Sequence, residues 1–100
     1  MFETPTQYAV RGDGLVIVVG HPESKTWWRN FIEPADIDVR VAGRWRRMTG
    51  RVVRGELDPE TAGPLLEAYL ARFPRAERAL AGSTHDERVR SAVVVWCRPR

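Results

Sequence analysis

A short turn between two apolar runs constrains the fold of this chain more than any other feature. The region from Tyr8 reads YAVRGDGLVIVVG, in which Asp13-Gly14 separates a strand-like run, Thr6 to Val10, from a second run, Leu15 to Gly20. Asp-Gly between apolar runs is typical of a β-hairpin, because glycine adopts the positive φ that tight hairpin turns require. The sequence therefore predicts two antiparallel strands that pair with each other.

Alternation of apolar and charged residues predicts a second hairpin. Residues 36–41 read DIDVRV, which has the period of two expected for a strand with one buried face. Ala42-Gly43 then turns the chain, and Arg44 to Arg54 returns as a longer strand. Gly50 lies inside that strand and is expected to form a bulge or a bend.

The second half of the chain is predicted to carry the main helix. Asp58-Pro59 combines a capping carboxylate with a proline at the first helical position. The apolar residues that follow recur at spacings of three and four, which places them on one helix face. They are Ala62, Leu65, Leu66, Tyr69, Leu70 and Phe73. Pro64 interrupts this pattern and predicts a kink or a restart near Gly63.

The remaining elements complete the predicted topology. A short helix is expected from Arg75 to Leu80, a loop from Gly82 to Asp86, and a last strand from Ala92 to Arg98. Hairpins dominate and the main amphipathic helix comes late, which favours an α+β fold: a small antiparallel β-barrel with helices packed on it. A chain of 100 residues has room for one ordinary core, so residues 1–100 are predicted to form a single domain.

Composition and charge narrow the possible functions. The chain is 43% hydrophobic and 29% charged, as in globular proteins, which argues against wholesale disorder. The net charge of +3 is small and scattered, and it disfavours nucleic acid as a partner. The densest basic cluster is best explained as a solvated strand face, with an anion site and nucleic-acid binding as alternatives. This cluster is Arg44, Arg46, Arg47, Arg51 and Arg54.

The sequence also argues against several kinds of site and segment. Cys97 is the only cysteine, which excludes an internal disulfide, and no metal site is predicted. No nucleophile motif such as GxSxG occurs, so no catalytic side chain is predicted. No apolar run approaches about 18 residues and no signal peptide is apparent, so a cytoplasmic location without membrane association is expected. The core is modest, so a homodimer is expected if one face carries exposed aromatic residues.

The stretch SKTWWRNF, residues 24–31, is the best candidate for a binding site. Ser24 is expected to cap a short helix from Lys25 to Ile32, whose free N–H groups and positive dipole end suit a phosphate. One tryptophan is predicted to pack on the core with Phe31, and the other to face a groove. The predicted site residues are Ser24, Lys25, Trp27, Trp28, Arg29 and Asn30.

Taken together, these segments resemble the deazaflavin-dependent nitroreductase family, which lies within the split β-barrel group that includes flavin-binding proteins. The resemblance covers Tyr8 to Pro99, most of the chain. It rests on the hairpin YAVRGDGLVIVVG, the segment TWWRNFIEPADIDVRVAGR, the strand TGRVV, the helix LLEAYLARFP and the closing strand AVVVWCRPR. Relative to that family, the chain is expected to be an N-terminally shortened, FMN-binding split barrel-like fold.

The resemblance implies an oxidoreductase that transfers a hydride to a small organic acceptor. The implied cofactor is a deazaflavin (coenzyme F-420), with FMN as the alternative. Ser24 and Lys25 fall where the family contacts the coenzyme, and Trp27 and Asn30 match its aromatic and asparagine positions. The alternative hypothesis is a non-catalytic split-barrel binding or assembly module.

Overall fold

The computed structural model describes residues 7–20, 22 and 26–99. Within these ranges, five strands form one antiparallel sheet in the order β1-β2-β5-β4-β3. The strands are β1 Ala9–Arg11, β2 Gly14–Val18, β3 Ala35–Val41, β4 Arg44–Arg54 and β5 Val93–Pro99. A 3-10 helix Trp27–Phe31 precedes β3, and α1 Pro59–Arg72, α2 Pro74–Ala79 and α3 His85–Ser91 lie between β4 and β5. The predicted antiparallel α+β class is confirmed.

The described strands form an open sheet. Its edges are β1 and β3, and the sheet is not closed into a barrel. The strand β4 joins its two halves, since residues 44–50 pair with β3 while residues 48–54 pair with β5. The barrel closure that the sequence predicted is therefore not observed in this part of the chain.

Both predicted hairpins are present, with a shifted turn in the first. The loop residues between β1 and β2 are Gly12 and Asp13, and the positive φ of 60° at Gly12 is what a type II′ turn needs. Gly14 instead belongs to β2, where a Cβ would come within 2.7 Å of the Trp96 ring. In the second hairpin Ala42 and Gly43 both have positive φ, at 51° and 80°, as in a type I′ turn.

Of the bulge or bend predicted at Gly50, the bulge is not observed. Gly50 keeps regular register with both neighbouring strands, opposite Ala35 and Cys97. A Cβ there would lie 3.0 Å from the ring of Phe31 and 3.3 Å from the Ile37 side chain. The glycine is therefore explained by the close approach of the 3-10 helix to the sheet.

The helices differ from the prediction in two places. Asp58 caps α1 by accepting a hydrogen bond from the Thr61 amide, but α1 then runs through Pro64 without the predicted restart. The segment predicted as a loop up to Asp86 contains the start of α3. Thr84 and Glu87 form a capping box there, each side chain accepting a hydrogen bond from the other's backbone amide.

Apolar residues are buried on both faces of the sheet. The Trp28 face, named for the tryptophan that covers it, packs against the 3-10 helix, and the helix face packs against α1 and α3. Alternation along β2 illustrates the division, because Leu15 and Ile17 belong to the first cluster and Val16 to the second. Within the described residues, no helix combines the length and the apolar character needed to cross a membrane.

Candidate functional site

The segment with two tryptophans folds as a five-residue 3-10 helix, Trp27–Phe31, within the short helix predicted from Lys25 to about Ile32. Thr26 precedes it and makes no side-chain capping bond. Ser24 and Lys25, the predicted cap and phosphate contact, lie outside the described residues. Side chains three apart eclipse one another in a 3-10 helix, which explains why Trp28 and Phe31 are both buried on the sheet.

Trp28 is held in place by one hydrogen bond and two cations. It is 4% exposed, and its indole Nε1 donates to the carbonyl oxygen of Pro22 at 2.9 Å. The guanidinium carbons of Arg29 and Arg54 each lie 5.5 Å from its ring centroid. A cation at this distance is attracted to the electron-rich face of an indole, so Trp28 fixes the position of both arginines.

These residues form one wall of a cleft of about 420 Å³. Arg90 at the end of α3 and Glu56 after β4 contribute further charges, so among the described residues three arginines face one carboxylate. The remaining lining residues are Pro22, Ser91, Ala92 and Val93. We call this site the arginine cleft.

The arginines of the cleft retain donors for a ligand. Arg54 approaches Glu56 only to 3.7 Å, beyond hydrogen-bond distance, and its buried Nε has no hydrogen-bond partner among the described residues. Arg90 pairs with Asp86 at 3.3 Å, but both side chains are more than 70% exposed, where an ion pair contributes little. Because guanidinium groups donate in a planar fork that matches phosphate and carboxylate, the cleft suits an anion.

A second, more apolar cavity of about 420 Å³ adjoins the arginine cleft and shares Pro22, Ser91 and Ala92 with it. Its wall includes Leu66, Tyr69 and Leu70 of α1, Ala76 and Ala79 of α2, and Leu80, which follows α2. Burial raises the pKa of the Tyr69 hydroxyl above its usual range, so Tyr69 stays neutral at physiological pH. The two compartments together offer a cationic end and an apolar end.

The structure brings together only part of the predicted site. Trp28 and Arg29 line the arginine cleft, whereas Trp27 packs against the core, edge-on to Phe31 with 6.3 Å between ring centroids. Asn30 is exposed and is not among the residues that line the cleft. Adjacent residues of a 3-10 helix project about 120° apart, so Trp27 and Trp28 cannot share one wall.

Three cleft residues were missed by the sequence analysis. Arg54 belonged to the predicted basic cluster, but nothing distinguished it from its neighbours until its place beside Trp28 was known. Arg90 lies on α3, which was predicted as a loop at its start. The sequence TxxE at Thr84 and Glu87 is a capping-box signal that could have located this helix. No sequence pattern pointed to Glu56 as a residue of the cleft.

Cys97 does not provide a nucleophile. Its side chain is fully buried on the Trp28 face, and burial raises the pKa of the thiol to about 12. A thiol with this pKa stays protonated at neutral pH, and the thiolate is the reactive form.

Comparisons with protein-family models, curated proteins and solved structures found no match to this chain. The resemblance to deazaflavin-dependent nitroreductases therefore stays a prediction from the sequence, and the geometry of the cleft is the basis for any function.

Proposed function

We propose that this protein binds a phosphorylated coenzyme of the deazaflavin or flavin class in the arginine cleft, and acts as an oxidoreductase on a small organic acceptor. The observation that carries the proposal is the convergence of Arg29, Arg54 and Arg90, from three separate elements, on one cleft beside Trp28. Arginines repel one another, so their convergence calls for an anion to offset it.

The two compartments support a ligand with a phosphate and a ring. Small-molecule sites commonly have volumes of about 300–1,000 Å³, and the arginine cleft with its apolar neighbour lies in that range. Arg29, Arg54 and Arg90 would hold the phosphate, and the cavity beside Tyr69 would take the ring. The coenzyme supplies the hydride chemistry when bound, and the protein contributes binding and orientation.

The split barrel and the homodimer belong to the same proposal. The division of β4 between two partner strands supports a sheet that turns from one half of a barrel to the other. β3 is a seven-residue edge strand, and an open edge is a template for pairing with a second copy.

A non-catalytic binding module is the second candidate, and one observation favours it. In the part of the chain that the structure describes, the charged residues of the cleft are three arginines and Glu56, and Glu56 is 61% exposed. Arginine stays protonated at any physiological pH, so it binds anions without exchanging protons. The two candidates share the binding site and differ only in turnover.

Binding is tested by calorimetric titration of the protein with FMN, reduced and oxidised deazaflavin, riboflavin and inorganic phosphate. Riboflavin has the ring of FMN without the phosphate, so we expect FMN to bind at least tenfold more tightly than riboflavin. Riboflavin binding as tight as FMN binding would contradict the phosphate role of the arginines. Phosphate binding without coenzyme binding would reduce the site to a general anion site and refute the coenzyme assignment.

The matched variants are Arg29→Gln/Arg90→Gln in the cleft and Arg75→Gln/Arg78→Gln on α2. All four residues are exposed, and both pairs remove two positive charges. Charge-assisted hydrogen bonds contribute about 1.5–3 kcal/mol each, so the loss of two in the cleft pair should weaken FMN binding by about a hundredfold or more, while the α2 pair does not. Turnover is measured as oxidation of the reduced deazaflavin by a quinone or nitroaromatic acceptor; coenzyme binding without turnover would decide for the binding module.

A further inference from the structure

Part of the helix face of the sheet is not covered by any helix. α1 packs mainly on β1, β2 and β5, whereas the outer part of β3 and β4 remains exposed on this side. Six exposed or half-buried side chains of this surface, which we call the basic face, are Arg40, Trp45, Arg47, Arg51, Trp96 and Arg98.

Strand register places these residues side by side. Arg40 is opposite Trp45, and its guanidinium lies 5.9 Å from the tryptophan ring centroid. Arg51 is opposite Trp96 on the neighbouring strand. Arg98 is opposite Thr49, which places it diagonally between Arg47 and Arg51 on the same face.

The sequence cluster of arginines is thereby divided. Side chains alternate along β4, so Arg44 and Arg46 point to the same side as Met48, which is buried on the Trp28 face. Arg47 and Arg51 point to the side of Val53, the helix face, where Arg40 and Arg98 join them from other strands. Arginines from three strands, at positions 40, 47, 51 and 98, therefore lie together on one surface.

The charge of this surface is only partly neutralised. Asp38 accepts a hydrogen bond from Arg47 at 3.1 Å, and Asp36 lies on the same face. Arg51 and Arg98 make no ion pair with any other described residue. Among the described residues, four arginines and two aspartates thus lie on one exposed surface, and Trp45 within it is 52% exposed.

We infer that the basic face binds single-stranded nucleic acid, with bases stacked on Trp45 and Trp96 and phosphates held by Arg51 and Arg98. A cationic surface interleaved with aromatic side chains is the arrangement that binds single strands without sequence preference. Trp96 pairs with Arg51, which lies six residues beyond Trp45 on β4. The two tryptophans are therefore about 20 Å apart along the strand direction, a length that spans several nucleotides. An acidic peptide offers the charges but no flat rings for the tryptophans.

The net charge of the whole chain disfavoured nucleic acid as a partner, whereas the local charge of the basic face favours it. Nucleic-acid binding does not depend on the proposed coenzyme site, because Trp45 and Trp96 are not among the residues that line the arginine cleft. Either conclusion can fail while the other stands.

The experiment measures binding of a labelled 12-nucleotide oligothymidylate to the full chain by fluorescence anisotropy at several salt concentrations. For single strands, the logarithm of the binding constant changes with the logarithm of salt by about −0.7 for each phosphate contact, so the two contacts of Arg51 and Arg98 predict a slope of about −1.4. A duplex of equal length and a polyglutamate peptide are compared at low salt. Weaker binding of both is expected, and equal or tighter binding of either would overturn the inference.

Two double variants, each of which removes two positive charges, distinguish binding at one face of the sheet from binding at the other. Arg51→Gln/Arg98→Gln should reduce the slope by about 1.4, whereas Arg44→Gln/Arg46→Gln, with the same loss of charge on the other side of the sheet, should leave it unchanged. Equal weakening by both pairs would show a general charge effect and would refute the assignment. Trp45→Ala should weaken binding about tenfold at every salt concentration without changing the slope, because stacking is not ionic. Circular dichroism verifies that each variant is folded.

Discussion

Gly55 follows β4 and packs against the end of α3, and these two elements form part of the arginine cleft, so its replacement gives a sharp test of that contact. It lies between Arg54 and Glu56, and its amide donates to the Ala92 carbonyl oxygen at 2.9 Å. A Cβ at Gly55 would fall on the carbonyl oxygen of Val89 and come within 2.6 Å of the carbonyl carbon. Both obstacles are backbone atoms, so neither can move without shifting α3 or β4.

We expect Gly55→Ala to lower the free energy of unfolding by about 3–4 kcal/mol. Overpacking costs about 1–3 kcal/mol where side chains can adjust, and here the backbone must move and the hydrogen bond to Ala92 is strained. This is a large part of the roughly 5–15 kcal/mol that holds a domain together. The displacement would also separate Arg54 from Arg90, so coenzyme binding should be lost along with stability.

Urea denaturation followed by circular dichroism measures this change, with Gly63→Ala as the matched control. A Cβ at Gly63 would meet Val89 from the other side, at an ordinary 3.8 Å from its Cγ2. Gly63 is inside α1, where alanine is better than glycine by about 0.5–1 kcal/mol, so this variant should be more stable. Gly55→Ala within about 0.5 kcal/mol of the parent protein would refute the close approach of β4 to α3.

Three further predictions concern stability. Ala42→Asn should raise the free energy of unfolding by about 0.5–1 kcal/mol in urea denaturation, because Ala42 has a φ of 51° that asparagine tolerates better; a loss would contradict the type I′ turn. Thr84→Ala should cost about 1 kcal/mol by removing the capping box of α3, and no change in the same assay would place that helix in doubt. Burial raises the pKa of Cys97 to about 12 from an ordinary value of 9.0, so its contribution to stability is present below pH 9 and lost as pH rises toward 12. Cys97→Ala should lose less stability than the parent over that interval, and identical pH profiles of the two proteins would contradict the buried thiol.

The elements that the sequence predicted correctly are those encoded by local pattern. The alternation in residues 36–41 and the Ala42-Gly43 turn predicted the second hairpin within a residue or two. Turn glycines predicted the first hairpin as well, but Gly12-Asp13-Gly14 contains two possible turns. The choice between these turns depends on Trp96, which lies more than 80 residues away in the chain and whose ring packs on Gly14.

Tertiary contacts decided the features that the sequence misplaced. Gly50 looked like a bulge because local sequence does not show the Phe31 ring that packs on it. The arginine cleft combines a short helix, the end of β4 and the end of α3, and no spacing along the chain relates these positions. Alternation could have divided the arginines of β4 between two faces, but only strand order shows that Arg40 and Arg98 join Arg47 and Arg51.

Binding of a phosphorylated coenzyme in the arginine cleft is measured specifically through the indole N–H signals of the four tryptophans. Trp28 donates its indole N–H to Pro22 inside the cleft, whereas Trp45 lies on the basic face. In a nitrogen-15 correlation spectrum, assigned with single Trp→Phe variants, we expect FMN to shift the Trp28 signal and to leave the Trp45 signal in place. A Trp28 signal that stays unchanged at millimolar FMN, or a shift confined to Trp45 and Trp96, would contradict coenzyme binding in the arginine cleft.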